Sequence, residues 1–123
     1  MSHHVLAEVL AASKQWVKHF NHGDIDYCVS GYMPDAVLQA NPMGEYVGKD
    51  NIDNFWRPFI QSGASDLHYN DMWLKQVGDE KVHLGANWSM NVGKGIITLE
   101  EWVKNDAGVW KLSQDFFEVQ EQY

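Results

Sequence analysis

Between residues 5 and 20 apolar side chains recur at spacings of three and four. Leu6, Val9, Leu10, Trp16, Val17 and Phe20 share one face, which predicts a helix. Asn21-His22-Gly23 stops it, with Gly23 suited to the left-handed residue beyond a helix end. Asp24 reads as the N-cap of a short second helix with Ile25, Cys28, Val29 and Tyr32 inward, broken by Met33-Pro34-Asp35. Residues 36–40 read as a strand, Asn41-Pro42-Met43-Gly44 as a turn, and residues 45–47 as a second extended piece. Gly48 opens a third helix with Ile52, Phe55, Trp56, Phe59 and Ile60 apolar, and Pro58 predicts a kink or an early end there.

The rest alternates as strands: 67–77, 82–92, 96–104 and 109–119. Gly78-Asp79-Glu80, Gly93-Lys94-Gly95 and Asn105-Asp106-Ala107-Gly108 supply the turns. The expectation is an α+β fold over residues 1–123 as one domain, a cone of three N-terminal helices packed against a curved antiparallel sheet.

Strand faces follow from alternation. Leu84, Ala86, Trp88 and Met90 are apolar, and the interleaved His83, Asn87, Ser89 and Asn91 are polar, so the first set faces the helices. Centring the hairpin on Lys94 sets Ala86 opposite Trp102, Trp88 opposite Glu100 and Met90 opposite Thr98. The next turn sets Ser113 opposite Glu100 and Asp115 opposite Thr98, a diagonal neighbour of Glu100. Two carboxyl groups then point into an apolar interior. Burial raises the pKa of one, and a second carboxyl beside it raises one of the pair further. An acid held neutral near pH 7 can donate a hydrogen bond or a proton. The plainer reading has both carboxyls bonded to Trp indoles and holding the core.

Composition sharpens this picture. Six Trp, five Tyr and five Phe fill a core of rings, line an aromatic cavity, or do both. A net charge of −8 argues against nucleic acid and anionic membrane as partners. The lone Cys28 excludes an internal disulfide, fits a reducing cytoplasmic setting, and on an apolar helix face reads as a buried inert thiol. No apolar run is long enough to span a membrane, and the first ten residues lack the pattern of a secretion leader. His19 and His22 stand three apart, but a histidine at a helix end is explained by the helix dipole, so no metal site is expected. Gly93-Lys94-Gly95 lacks the spacing of a phosphate loop, and no cofactor motif is present. On the outer sheet face Ile97, Leu99 and Val103, beside polar Asn87, Ser89, Asn91 and Glu101, predict a homodimer surface.

The stretch from Trp16 to Asp26 and the run from Tyr32 to Leu38 carry a resemblance. So do Asn41-Pro42-Met43-Gly44, Gly48-Lys49-Asp50-Asn51-Ile52 and Gly108-Val109-Trp110-Lys111-Leu112. Together they are similar to the ketosteroid isomerase branch of the nuclear-transport-factor-2-like superfamily, which also holds the SnoaL-like polyketide cyclases. The resemblance implies the helix cone wrapped by a curved sheet, and a homodimer. It leaves the reaction open, because this fold hosts isomerases, cyclases, dehydratases, hydrolases and pure binding domains. The branch's general-base Asp before a Pro falls on Asn41, which cannot take a proton. Its oxyanion Tyr falls on Trp16, whose indole donates but relays no proton. Its supporting Tyr residues fall on Tyr32 and Trp56, and its oxyanion Asp on Glu100. Asp115 falls where the isomerase wall is apolar.

These readings converge on a small acid–base enzyme acting without cofactor on an apolar, carbonyl-bearing or cyclic molecule. Glu100 is the expected acid or oxyanion donor and Asp115 the expected base. Trp16, Tyr32 and Asn41 are expected to orient the substrate, with Trp56, Trp88, Trp102 and Phe117 around it. The alternatives are a non-catalytic binding domain of the same fold and a dimer whose interior is filled by its own rings.

Overall fold

The structure, a computed structural model, describes residues 3–123; residues 1 and 2 of the predicted domain and of the opening stretch lie outside it. Helix α1 spans His3–Asn21 and α2 Ile25–Ser30. Gly23 between them takes a positive φ of 74°, and the Asp24 side chain caps α2 by accepting from the Tyr27 N–H at 3.2 Å. Strand β1 (Tyr32–Asn41) follows directly, so Tyr32 belongs to a strand and not to the second helix. The expected break at Met33-Pro34-Asp35 is an irregularity within β1, where Pro34 has no N–H to give the ladder. After β2 (Gly44–Val47), α3 (Lys49–Gln61) runs through Pro58 instead of ending there, its buried Ile52, Trp56 and Ile60 anchoring it on both sides of the proline.

Strands β3 (His68–Gly78), β4 (Lys81–Met90), β5 (Gly93–Lys104) and β6 (Trp110–Gln122) complete one sheet of order β2-β1-β6-β5-β4-β3. The sheet is mixed: β1 pairs with β6 in parallel, which corrects the all-antiparallel expectation. Phe20, Tyr32, Leu38, Ile52, Leu84 and Leu112 are fully buried between the helices and the concave face. Among the described residues no helix is long and apolar enough to cross a membrane.

The expected hairpin registers differ from the observed ones. Met90 pairs with Gly93, so the β4–β5 turn is Asn91-Val92, and Trp88 faces Gly95 instead of Glu100. Gly95 lies in the strand because the Trp88 ring and the Glu118 carbonyl occupy the space a side chain would need. Such a slip alone would turn Glu100 outward. An irregularity restores it: Ala86 faces Ile97 but Leu84 faces Glu100, two steps on β4 against three on β5. Ile97 therefore points inward, which removes it from the outer surface. On the other edge of β5, Asp115 sits directly opposite Glu100, not diagonal to it.

Candidate functional site

Glu100 and Asp115 face the interior from neighbouring strands, 2% and 5% exposed. Their partners differ. Glu100 Oε1 accepts from the Trp102 indole at 2.9 Å and Oε2 from the Tyr69 hydroxyl at 3.0 Å. Asp115 Oδ2 accepts from the Tyr32 hydroxyl at 2.6 Å, and the Tyr32 oxygen accepts from the Trp56 indole at 3.0 Å. Among the described residues no cation pairs with either carboxylate.

Two buried carboxyls without a cation cannot both ionise cheaply. Burial first, and then the charge of Asp115, push Glu100 up to about 8 against the pull of Trp102 and Tyr69. Burial pushes Asp115 up to about 6, with the Tyr32 hydroxyl pulling it back. Both carboxyls are raised and Glu100 is raised further, so Glu100 is the one that favours keeping a proton when the pair carries a single charge. Burial and the nearby carboxyls raise Tyr32 and Tyr69 well above the usual tyrosine range, so both keep their protons.

Asp115 lies on the wall of a chamber of about 100 Å³. Trp16, Phe55, Trp56, Phe59, Trp88 and Phe117 form its aromatic wall, with Trp56 and Phe117 stacked at 5.9 Å and Trp88 edge-on to Phe117 at 6.2 Å. Leu67, Met90, Ile97 and Val119 complete the apolar part, and Tyr69 and Asp115 supply hydroxyl and carboxylate. A vestibule of about 240 Å³ shares Met43, Phe59, Trp88, Met90 and Val119 with the chamber and continues outward. The chamber has room for several water-sized groups. It is smaller than the roughly 300–1,000 Å³ of drug-sized sites.

Of the residues expected to contact a ligand, Trp16, Trp56, Trp88 and Phe117 line the chamber. Trp16 does so with its ring only, since its N–H donates to the Cys28 carbonyl at 3.0 Å. Asn41 is exposed at the end of β1 and lines no part of the chamber. Tyr32 and Trp102 stand behind the wall, bonded to the carboxyls. Asp115 reaches the chamber, but Glu100 does not; Tyr69 stands in front of it.

Tyr69 is the polar residue that alternation along the chain missed. Tyr69 pairs with Trp88, and Leu74 with Leu84, so both point inward although they are an odd number of residues apart. The irregularity between Asn70 and Trp73, with Asp71 at φ 54°, makes this possible. Without it, the turn at Gly78-Asp79-Glu80 would place Tyr69 outside.

His19 bonds Asp24 at 2.9 Å and stacks on Tyr27 at 3.6 Å. No cluster of three metal-ligating side chains occurs among the described residues. Cys28 is buried, and burial pushes its thiol up to about 12.

No protein-family model and no curated protein matches the sequence. Solved structures match its fold. A ketosteroid isomerase-like protein from Erwinia carotovora atroseptica superposes with a TM-score of 0.79 at 18% identity, over 94% of this chain and 95% of that one. ActVI-ORFA from Streptomyces coelicolor gives 0.78 at 11% identity, over 94% and 97%. An NTF-2 like protein of unknown function from Shewanella oneidensis MR-1 gives 0.79 at 17%, over 92% and 98%. The chain has the nuclear-transport-factor-2-like fold; at these identities the likeness is one of fold.

Proposed function

We propose that this chain is a small acid–base enzyme that acts without cofactor on a neutral, apolar, cyclic or carbonyl-bearing molecule. The observation that carries the reading is Asp115, a carboxylate on the wall of an aromatic chamber, set across the strand pair from a second buried carboxyl. The Asp115 carboxylate takes a proton from a carbon beside the ligand carbonyl. The C–H electron pair forms the enolate, and the proton returns at the same or another carbon. A neutral acid on the Glu100 side stabilises the enolate oxygen. The fold shared with a ketosteroid isomerase-like protein is consistent with such chemistry. The expected dimer contact stays on the outer sheet face, resting on Leu99, Val103 and exposed Trp73 in place of Ile97.

The test uses 2-tetralone in heavy water, with NMR following exchange of its protons beside the carbonyl. Exchange above background that disappears in Asp115→Asn supports the reading; exchange unchanged in that variant contradicts it.

One observation favours a second reading, a binding domain without catalysis. Both oxygens of Glu100 already have protein partners, and Glu100 is screened from the chamber. Saturable binding of 2-tetralone with no exchange would put this reading first.

A further inference from the structure

We propose that Tyr69 is the group that contacts an acceptor oxygen of the ligand, and that Glu100 is a positioning residue acting only through Tyr69. The inference rests on reading the chamber as a ligand site, and it names the class of ligand: a neutral molecule about one ring wide that carries a carbonyl.

Along the chamber wall the candidate donors reduce to one. Three indole N–H groups stand there, and each is committed to the protein. Trp16 donates to the Cys28 carbonyl, Trp56 to the Tyr32 oxygen, and Trp88 to the Glu118 carbonyl at 3.2 Å. The remaining polar groups on the wall are Asp115 and Tyr69. Ionised Asp115 has no hydrogen to give a carbonyl. It can only accept, with Oδ1 the oxygen that Tyr32 leaves free. Donation to a ligand oxygen therefore falls to Tyr69.

Tyr69 has one O–H, and its contact with Glu100 decides where that hydrogen points. Across the 3.0 Å contact Tyr69 donates to an ionised Glu100; once Glu100 carries a proton on that oxygen the bond can reverse, with the carboxylic O–H donating to the phenol oxygen. The Tyr69 hydrogen is then free to turn into the chamber. The Trp102 indole holds the other Glu100 oxygen, so the protonated oxygen is the one beside Tyr69. Tyr69 and Asp115 together select a ligand with a carbonyl oxygen on one side and a removable C–H on the other.

The probe is acetophenone labelled with carbon-13 at its carbonyl, one ring with one acceptor. Infrared difference spectra of the bound carbonyl are compared in the wild type, Tyr69→Phe, Glu100→Gln and Glu100→Leu. A lowered stretching frequency is expected in the wild type. It should be lost in Tyr69→Phe, with binding weakened about tenfold. Glu100→Gln keeps an N–H toward Tyr69 and should keep most of the shift, whereas Glu100→Leu, which leaves the phenol unheld, should shrink and broaden it. A merely structural role for Glu100 would leave the bound frequency unmoved. If the leucine variant fails to fold, Tyr69→Phe, which removes one oxygen, still decides.

A bound frequency unchanged by Tyr69→Phe overturns the inference, and so does failure of acetophenone to bind at millimolar concentration. Either failure is separate from that of the acid–base reading, which stands or falls on exchange of 2-tetralone in Asp115→Asn.

Discussion

Glu100 and Glu101 are adjacent in the chain and face opposite sides of the same strand. On the inner side Glu100 is bonded to Trp102 and Tyr69 and has a second carboxyl opposite, and burial drives its pKa up to about 8. On the outer side burial also pushes Glu101 up, but bonds from His83 at 2.9 Å and Ser113 at 2.8 Å outweigh it, so its pKa falls. Partial burial with strong hydrogen-bond donors makes an ordinary surface carboxylate. Full burial with neutral donors and a like charge makes an acid that keeps its proton at neutral pH. The proposed acid–base reading therefore rests on the inner face alone.

The largest expected effect lies on the inner face. Asp115→Asn should slow exchange of 2-tetralone by about 100-fold or more. His83→Ala on the outer face should leave that rate within about twofold, because His83 contacts no part of the chamber. A comparable loss in both variants, measured by NMR, would erase the distinction.

Next is Tyr32→Phe, which orphans the Trp56 N–H and takes the 2.6 Å bond from Asp115. Denaturant unfolding should show a loss of about 1–3 kcal/mol. It should also show Asp115 titrating higher than in the wild type, because Tyr32 is what pulls it down.

The pH dependence of stability separates the two faces further. The folded pKa of Glu100 lies above the usual 4.5, so the folded state holds the extra proton, and stability falls as pH rises from about 4.5 to about 8. Glu100→Gln should flatten that decline and raise the melting temperature at pH 8.5 by roughly 3–6 °C for about 1 kcal/mol. A melting temperature lowered equally at pH 5 and pH 8.5 would contradict it.

Glu101 has the opposite sign. Its folded pKa is lowered, so its contribution is present at neutral pH and lost as pH falls through that value. Glu101→Gln should cost about 0.5 kcal/mol at pH 7 and progressively less as the medium is made acidic, read from melts across that range.

Much of this architecture is legible in the chain. The helical spacing from Leu6 to Phe20, the Gly23 stop and the Asp24 cap each act through neighbours in sequence, and all three appear where local rules put them. The inward faces of Leu84, Ala86, Trp88 and Trp102 also survive, but Ile97 turns inward instead of outward, and for Glu100 two departures cancel: the turn lies at Asn91-Val92, and an irregularity on β5 restores the inward direction. Tyr69 was hidden because the irregularity near Asp71 reverses the faces of β3, a property of the pairing with β4 and not of β3 alone. Asn41 illustrates the converse. A position matched by resemblance keeps its place at the end of β1 but not its contact with the chamber. Local periodicity predicts elements well, whereas the last residue of register, which decides what faces a cavity, depends on partners distant in sequence.

The central claim is that the inner carboxyl pair shares one proton at neutral pH, held by Glu100. Carbon-13 NMR of the glutamate and aspartate side-chain carboxyls, titrated from pH 3 to pH 10 and assigned with Glu100→Gln and Asp115→Asn, tests it directly. The account predicts that the Glu100 carbon keeps the shift of a carboxylic acid at pH 7 and moves only near pH 8, after Asp115 has ionised near pH 6. Both carbons completing their change below pH 5 would contradict it.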